Sequence, residues 1–232
     1  MIRCKKANDR RHVRGDSQEM WMSFDAENGS NPSYRGFRGL GSLNEIRLHP
    51  GTELTLPSKG IHESVTYVRE GGLVVHERPR REEFLVPGSC QRTSTRRLRF
   101  AGGSGNSPFQ GAHIFVSSMT PRRVKGASPL EHKHYPFSER RGHLRLIASP
   151  DPCAASLRLD EDVCIYSSIL DPGHHLVHEL GPGRGGWLHV VTGRVLLIDQ
   201  ILRAGDGVSL EDESAVSFTA QEASEILLFD LA

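Results

Sequence analysis

One plan of short apolar strands and glycine turns is written twice along these 232 residues. In the first half, 65–68 (VTYV) alternates, Glu70-Gly71 turns the chain, and 73–77 (LVVHE) pairs back. In the second half, 187–191 (WLHVV) runs into Thr192-Gly193, and 195–198 (VLLI) answers it. The corner Val86-Pro87-Gly88 has its counterpart in 202–206 (LRAGD). A strand-type pattern repeated once at domain scale points to two barrels in tandem. The 24 glycines and 13 prolines lie spread between short apolar segments, the texture of an all-β chain with many turns.

The segments follow in order. Residues 20–24 (MWMSF), then 37–51 (FRGLGSLNEIRLHPG), lead to 54–72 (LTLPSKGIHESVTYVREGG), which reads as a β-hairpin with a polar turn region. HERPRREEF reads as a charged turn, 91–100 (QRTSTRRLRF) as a basic strand, AGGSGNSPFQG as a loop, and 112–118 (AHIFVSS) as the strand closing the first barrel. Residues 120–136, rich in Pro and Lys/Arg, read as a linker. The expected domains are therefore 1–125 and 126–232. In the second, strands are expected at HLRLIAS, ASLRL, 163–170, 176–180, 187–191, 195–198, 215–218 and 226–231.

Composition narrows the partners. A formal net charge of +1 gives no global pull towards nucleic acid or membrane. No apolar run approaches the roughly 20 residues of a membrane helix, and the polar N-terminus lacks the apolar core of a secretory signal. The four cysteines show no CxxC spacing and are read as free thiols of an intracellular, cytoplasmic protein.

Across nearly the whole chain, the order of short motifs resembles the pirin family of bicupins, within the cupin superfamily. Those motifs include 21–24 (WMSF), Pro32 before Gly36-Phe37, Leu43-Asn44, and Val65-Thr66-Tyr67-Val68 with Glu70-Gly71. They continue with 147–151 (IASPD), 155–157 (ASL), Val191 and Gly193 with Val195, 205–207 (GDG), and 226–231 (ILLFDL). The resemblance implies an all-β fold of two tandem cupin (double-stranded β-helix, or jelly-roll) barrels. It also implies a mononuclear iron or similar ion, held by two His in the hairpin and by a His and a Glu after the basic strand. Some family members resemble quercetin 2,3-dioxygenases; others act as transcriptional cofactors.

Carried onto this chain, the first ligand pair falls on Leu56 and Ser58, and the second in the window from Phe100 to Asn106 (FAGGSGN), which holds no His and no Glu. Leucine has no lone pair to give, and a serine hydroxyl is a poor ligand beside imidazole. The expectation is a bicupin without the family's metal ligands and with no cofactor, non-catalytic, binding a ligand or serving a regulatory or interaction role. The alternative is a metal-dependent quercetin 2,3-dioxygenase-type oxidoreductase using iron or another divalent metal.

Within the first barrel the candidate pocket residues are Leu56, Ser58, Glu63, Arg97 and Arg99. Glu63 is read as a proton acceptor or polar anchor at the barrel mouth, against a plain hairpin carboxylate. Arg97 and Arg99 share one strand face, with Arg96 on the other; they offer an anion patch, against a solvated face balanced by Glu77, Glu82 and Glu83. Two relocated metal sites are considered. His62, His76 and His113 would join Glu63, although His62 and Glu63, adjacent on a strand, point to opposite faces. His174, His175 and His178, with His189 nearby, form the densest histidine cluster, against surface-turn histidines. The partners expected are a small-molecule or anionic ligand in the first barrel and a protein partner. No membrane is expected, and the linker cations, lacking interleaved aromatics, do not favour nucleic acid.

Overall fold

The computed structural model describes residues 1–25, 36–78, 81–102, 111–119 and 130–232, without the side chains of 25, 57–61, 76–78, 81–82 and 96–97. The described chain is almost entirely β, in two compact units. Strand β1 (Ile2–Lys5) comes first and belongs to the second unit.

The first unit comprises residues 11–36 and 40–136. Its strands are β2 (Arg11–Arg14), β3 (Gln18–Asp25), β4 (Leu40–Leu48), β5 (Glu53–Gly71), β6 (Leu73–Arg78), β7 (Arg81–Leu85), β8 (Ser89–Gly102), β9 (Ala112–Met119) and β10 (Glu131–His134). They form one sheet in the order β2-β3-β4-β9-β5-β8-β6-β7, with β10 added beside β8. Its core holds Ile46, Leu48, Leu54, Val68, Leu73, Val75, Leu85, Phe100, Ala112, Ile114 and Val116. These positions fall two apart along each strand, as one face of a pleated sheet requires.

The second unit comprises residues 1–10, 37–39 and 137–232. A short helix, α1 (Phe137–Arg140), precedes β11 (Arg145–Ser149), β12 (Leu157–Arg158), β13 (Val163–Leu170), β14 (His175–Glu179) and β15 (Gly185–Thr192). Then come β16 (Arg194–Leu197), β17 (Gln200–Arg203), β18 (Gly207–Leu210), β19 (Ala215–Ala220) and β20 (Ser224–Leu231). A seven-stranded sheet, β1-β18-β15-β20-β13-β11-β12, faces a four-stranded one, β14-β19-β16-β17, across a core that includes Leu188, Val208, Val216, Phe218 and Leu228.

Four expectations change. HERPRREEF, expected as a charged turn, is mostly strand, since β6 runs to Arg78 and β7 begins at Arg81. Residues 54–72 do not form a hairpin: β5 runs straight through, and the polar residues between Pro57 and His62 are taken up as an irregularity against β8. The stretch that reads as a turn is a bulge, which bends a strand without reversing it. The linker is shorter than expected, since residues 131–134 form β10 and Tyr135 is buried, placing the division at Pro136/Phe137 rather than 125/126. The first ten residues belong to the second barrel. There β1 pairs with β18, and Asp206 accepts the Ala7 backbone N–H (2.7 Å) and the Lys6 ammonium (3.2 Å). Such a pairing, some 200 residues apart, leaves no local signal in the sequence.

Candidate functional site

The inner face of the first barrel is apolar at one end and polar towards the other. On β5, Leu54 and Leu56 face the core before the irregularity, and Val68 faces it after. Alternation therefore places Thr66, Ser64 and His62 on the same inner face as Val68. Across the ladder, Thr66 pairs with Gln91, Ser64 with Thr93 and His62 with Thr95. Ser64 Oγ and Ser118 Oγ share a hydrogen bond of 2.8 Å. Thr66 and Gln91 are wholly buried. The Thr66 hydroxyl and both polar atoms of the Gln91 amide have no hydrogen-bond partner among the described residues. Neither residue carries a motif in the sequence; their signal is a polar side chain at a position whose parity matches the core.

The expected pocket residues separate. Leu56 lies on the inner face, packed against the core beside its cross-strand partner Leu98. The side chains of Ser58 and Arg97 lie outside the described residues. Glu63 is not at the mouth. It sits on the opposite face from Thr66, buried, and its Oε1 takes the Arg92 Nε–H at 2.8 Å. Arg99 neighbours Leu98 on β8, so it points away from the core, and it is exposed. Parity explains both. The described even-numbered residues of β5 from Leu54 to Val68 face inwards, so Glu63 faces outwards; Leu98 and Phe100 face inwards on β8, so Arg99 between them faces outwards.

The relocated metal site does not assemble on β5 and β9. Glu63 pairs with Met119 while His113 lies across from Glu70, six residues further along β9, a separation of about 20 Å at strand rise. His113 is buried against Glu45 instead, Nε2 to Oε1 at 2.9 Å. The side chain of His76 lies outside the described residues.

In the second barrel the histidines diverge. His175 is exposed and bonds Thr219 Oγ1 (2.9 Å). His178, on the other face of β14, reaches inwards to Asp230 Oδ2 (2.9 Å), its ring 4.7 Å from that of Tyr166. Asp230 also accepts Arg184 Nε–H, and Arg184 continues to Asp162 at 2.8 Å. Burial would raise the Asp230 pKa, but the His178 and Arg184 hydrogen bonds prevail and hold it below the ordinary aspartate value. Burial, then the charges of Cys164 and Asp230, push the Tyr166 phenol up to about 12. Burial likewise raises the Cys164 thiol, which stays protonated and weakly nucleophilic. All four cysteines are free, and Cys153 is exposed.

The family's metal does not fit the donors present. Leu56 offers no lone pair and is committed to apolar packing, and Phe100, Ala101 and Gly102 bring no donor side chain. The rest of the window lies outside the described residues, and its sequence, GSGN, lacks both His and Glu. Among the described residues no group of three His, Cys, Asp or Glu side chains gathers as a metal site.

Two barrels of this kind in one chain define a bicupin. A family model described as the quercetinase C-terminal cupin domain matches residues 146–231. The quercetin 2,3-dioxygenase of Escherichia coli (strain K12) is 29% identical over 232 residues, covering 100% of this chain and 99% of the relative. A pirin-like protein of Caulobacter vibrioides is 26% identical over 208 residues, 87% of each chain. Among solved structures, the bacterial pirin YhhW of Escherichia coli in complex with nickel(II) superposes with a TM-score of 0.85 at 26% identity, covering 100% of this chain and 99% of that one. Over its whole length the chain is similar to proteins of the pirin and quercetin 2,3-dioxygenase kind.

Proposed function

We propose that this pirin-type bicupin binds a small molecule inside its first barrel and does not carry out metal-dependent oxygenation. The observation that carries this reading is the donor set. A core-packed leucine stands at the first ligand position of the family, and residues without imidazole or carboxylate stand at the others. Dioxygenation at a mononuclear site requires an ion held with open positions, and such an ion needs nitrogen and carboxylate donors to hold it. Binding needs only a concave, mostly apolar interior with a few convergent polar groups. The Thr66–Gln91 end of the inner face supplies those groups above an apolar floor.

A regulatory or interaction role follows by family analogy, with a protein partner reading the ligand state. The same reading has the protein act in the cytoplasm. Among the described residues no helix is long and apolar enough to cross a membrane. No nucleic-acid partner is proposed. The anionic ligand expected from Arg97 and Arg99 loses its support from Arg99, which is solvent-facing.

The second reading rests on relatives that bear the name quercetin 2,3-dioxygenase. It requires this chain to hold a divalent ion through other ligands. Incubation with quercetin under air, with and without added iron(II) or nickel(II), separates the two. The flavonol absorption band stays constant on the proposed reading. Its loss in step with enzyme concentration establishes the alternative.

A further inference from the structure

The unpaired groups inside the first barrel define what its ligand looks like. Gln91 is 0% exposed, and neither its Nε2 nor its Oε1 has a partner among the described residues; the same holds for the Thr66 hydroxyl directly across the ladder. Buried polar atoms are nearly always paired, because leaving them bare costs free energy that the fold does not recover elsewhere. A sequence selected only for stability would place Leu, Met or Val at these two positions, as it does at Val68 and Val116 beside them. The two residues act against the fold, which is the mark of a binding function.

A carboxamide presents a donor and an acceptor side by side in one plane. Its complement is an edge carrying an acceptor beside a donor, and the Thr66 hydroxyl rotates to serve either. Charge on the ligand is disfavoured. The Glu63–Arg92 ion pair is on the opposite face of these strands, and the His132–Glu83 pair beside Gln91 is already matched, so an ionised group there would find no unmatched counter-charge among the described residues. The β9 partner of Thr66, Val116, and its inner-face neighbour Val68 are apolar, while its other neighbour, Ser64, is occupied by Ser118. On the far side of Gln91, β10 brings His132, whose Nδ1 is held by Glu83 at 2.5 Å and whose side chain is 45% exposed. The polar row thus reaches solvent within one strand of the buried amide.

We infer that the Gln91–Thr66 pair reads the edge of an uncharged, flat molecule that sets a hydrogen-bond donor next to an acceptor, a primary carboxamide or lactam on an apolar ring. This rests on the ligand-binding reading above and supplies its chemistry.

The test uses the full chain and three probes of equal size: benzamide, benzoate and benzylamine, with binding followed by methyl NMR and thermal shift. Benzamide binds the wild type at least about tenfold more tightly than either charged probe, the discrimination expected where a mismatched ligand leaves buried polar atoms bare. Gln91→Met, close in shape and apolar, raises the melting temperature of the unliganded protein by about 2–4 °C and abolishes benzamide binding. A purely structural glutamine would give the opposite sign of stability. Thr66→Val, which keeps the β-branched shape, weakens benzamide binding and serves as the second variant should Gln91→Met fail to fold. Equal binding of benzoate, undiminished benzamide binding by both variants, or no binding of any probe to the wild type overturns the inference. None of these results touches the metal-free reading, which stands or falls on flavonol turnover.

Discussion

At the scale of single residues, the chemistry of the first barrel turns on parity. Glu63 and Arg92 are each buried, with side chains 4% and 7% exposed, and they neutralise one another. Removing one partner leaves a buried charge, so Glu63→Leu alone and Arg92→Met alone are each expected to cost about 3–5 kcal/mol. The double variant recovers most of that loss in urea unfolding; additive losses would show that the pair is not coupled. Sequence alone identifies Glu63 as singular but gives it the wrong side of the strand, because the polar stretch before it hides that the even-numbered residues of β5 face inwards on both sides of that stretch. In the second barrel, Asp230 has a depressed pKa and therefore binds fewer protons folded than unfolded. Its contribution to stability is present above the ordinary aspartate value of 3.8 and is lost as pH falls through the lower folded value. Asp230→Asn should flatten the acid limb of the stability curve below about pH 4 relative to wild type; an unchanged limb would remove Asp230 from the account. Ile198 shows a different departure from expectation. Expected as the end of a strand, it turns the chain at φ +57° instead, in the left-handed region that β-branched side chains avoid.

At the scale of elements, the strands with clear alternation and glycine or proline boundaries were legible. Residues 163–170 were read to the residue as β13, and 112–118 fell one residue short of β9. Several others were not, among them β10 and β1. Strand β10, in sequence EHKH between Leu130 and Tyr135, has no apolar alternation and exists because the edge of β8 offers it a ladder from Ser89 to Arg92. Strand β1 is equally silent and is held by β18 and by the three hydrogen bonds that Asp206 takes from Lys6, Ala7 and Arg203. Asp206→Ala is expected to cost about 2–3 kcal/mol, since it strips a part-buried carboxylate from several donors at once. It should also speed hydrogen exchange at the Ile2–Lys5 amides ahead of global unfolding. Exchange confined to other strands would show that the clamp does not hold β1. Gly71 marks the opposite case, an element end that the sequence announces. At φ +76° its missing Cβ would lie 1.8 Å from the Gly111 carbonyl oxygen, so a glycine is required where β5 ends.

At the scale of the whole molecule, the repeat of strand, glycine turn and corner carried the two-barrel architecture, and the family resemblance carried its kind. The division between the barrels was less legible, because both of its determinants, β1 and β10, pair over long range. The candidate site was legible only as a loss. The positions onto which the family resemblance carries metal ligands could be named, but the buried amide and hydroxyl that stand inside the barrel could not, since nothing distinguishes Gln91 from the polar residues around it in QRTSTRR. The central claim is that this barrel has exchanged metal chemistry for neutral hydrogen bonding. Elemental analysis by inductively coupled plasma mass spectrometry, on protein purified without chelators or a histidine tag, tests it most directly. The account predicts far less than one equivalent each of iron, nickel, copper, manganese and zinc per chain. One equivalent of any of them, retained through gel filtration and lost on mutation inside the first barrel, would contradict it.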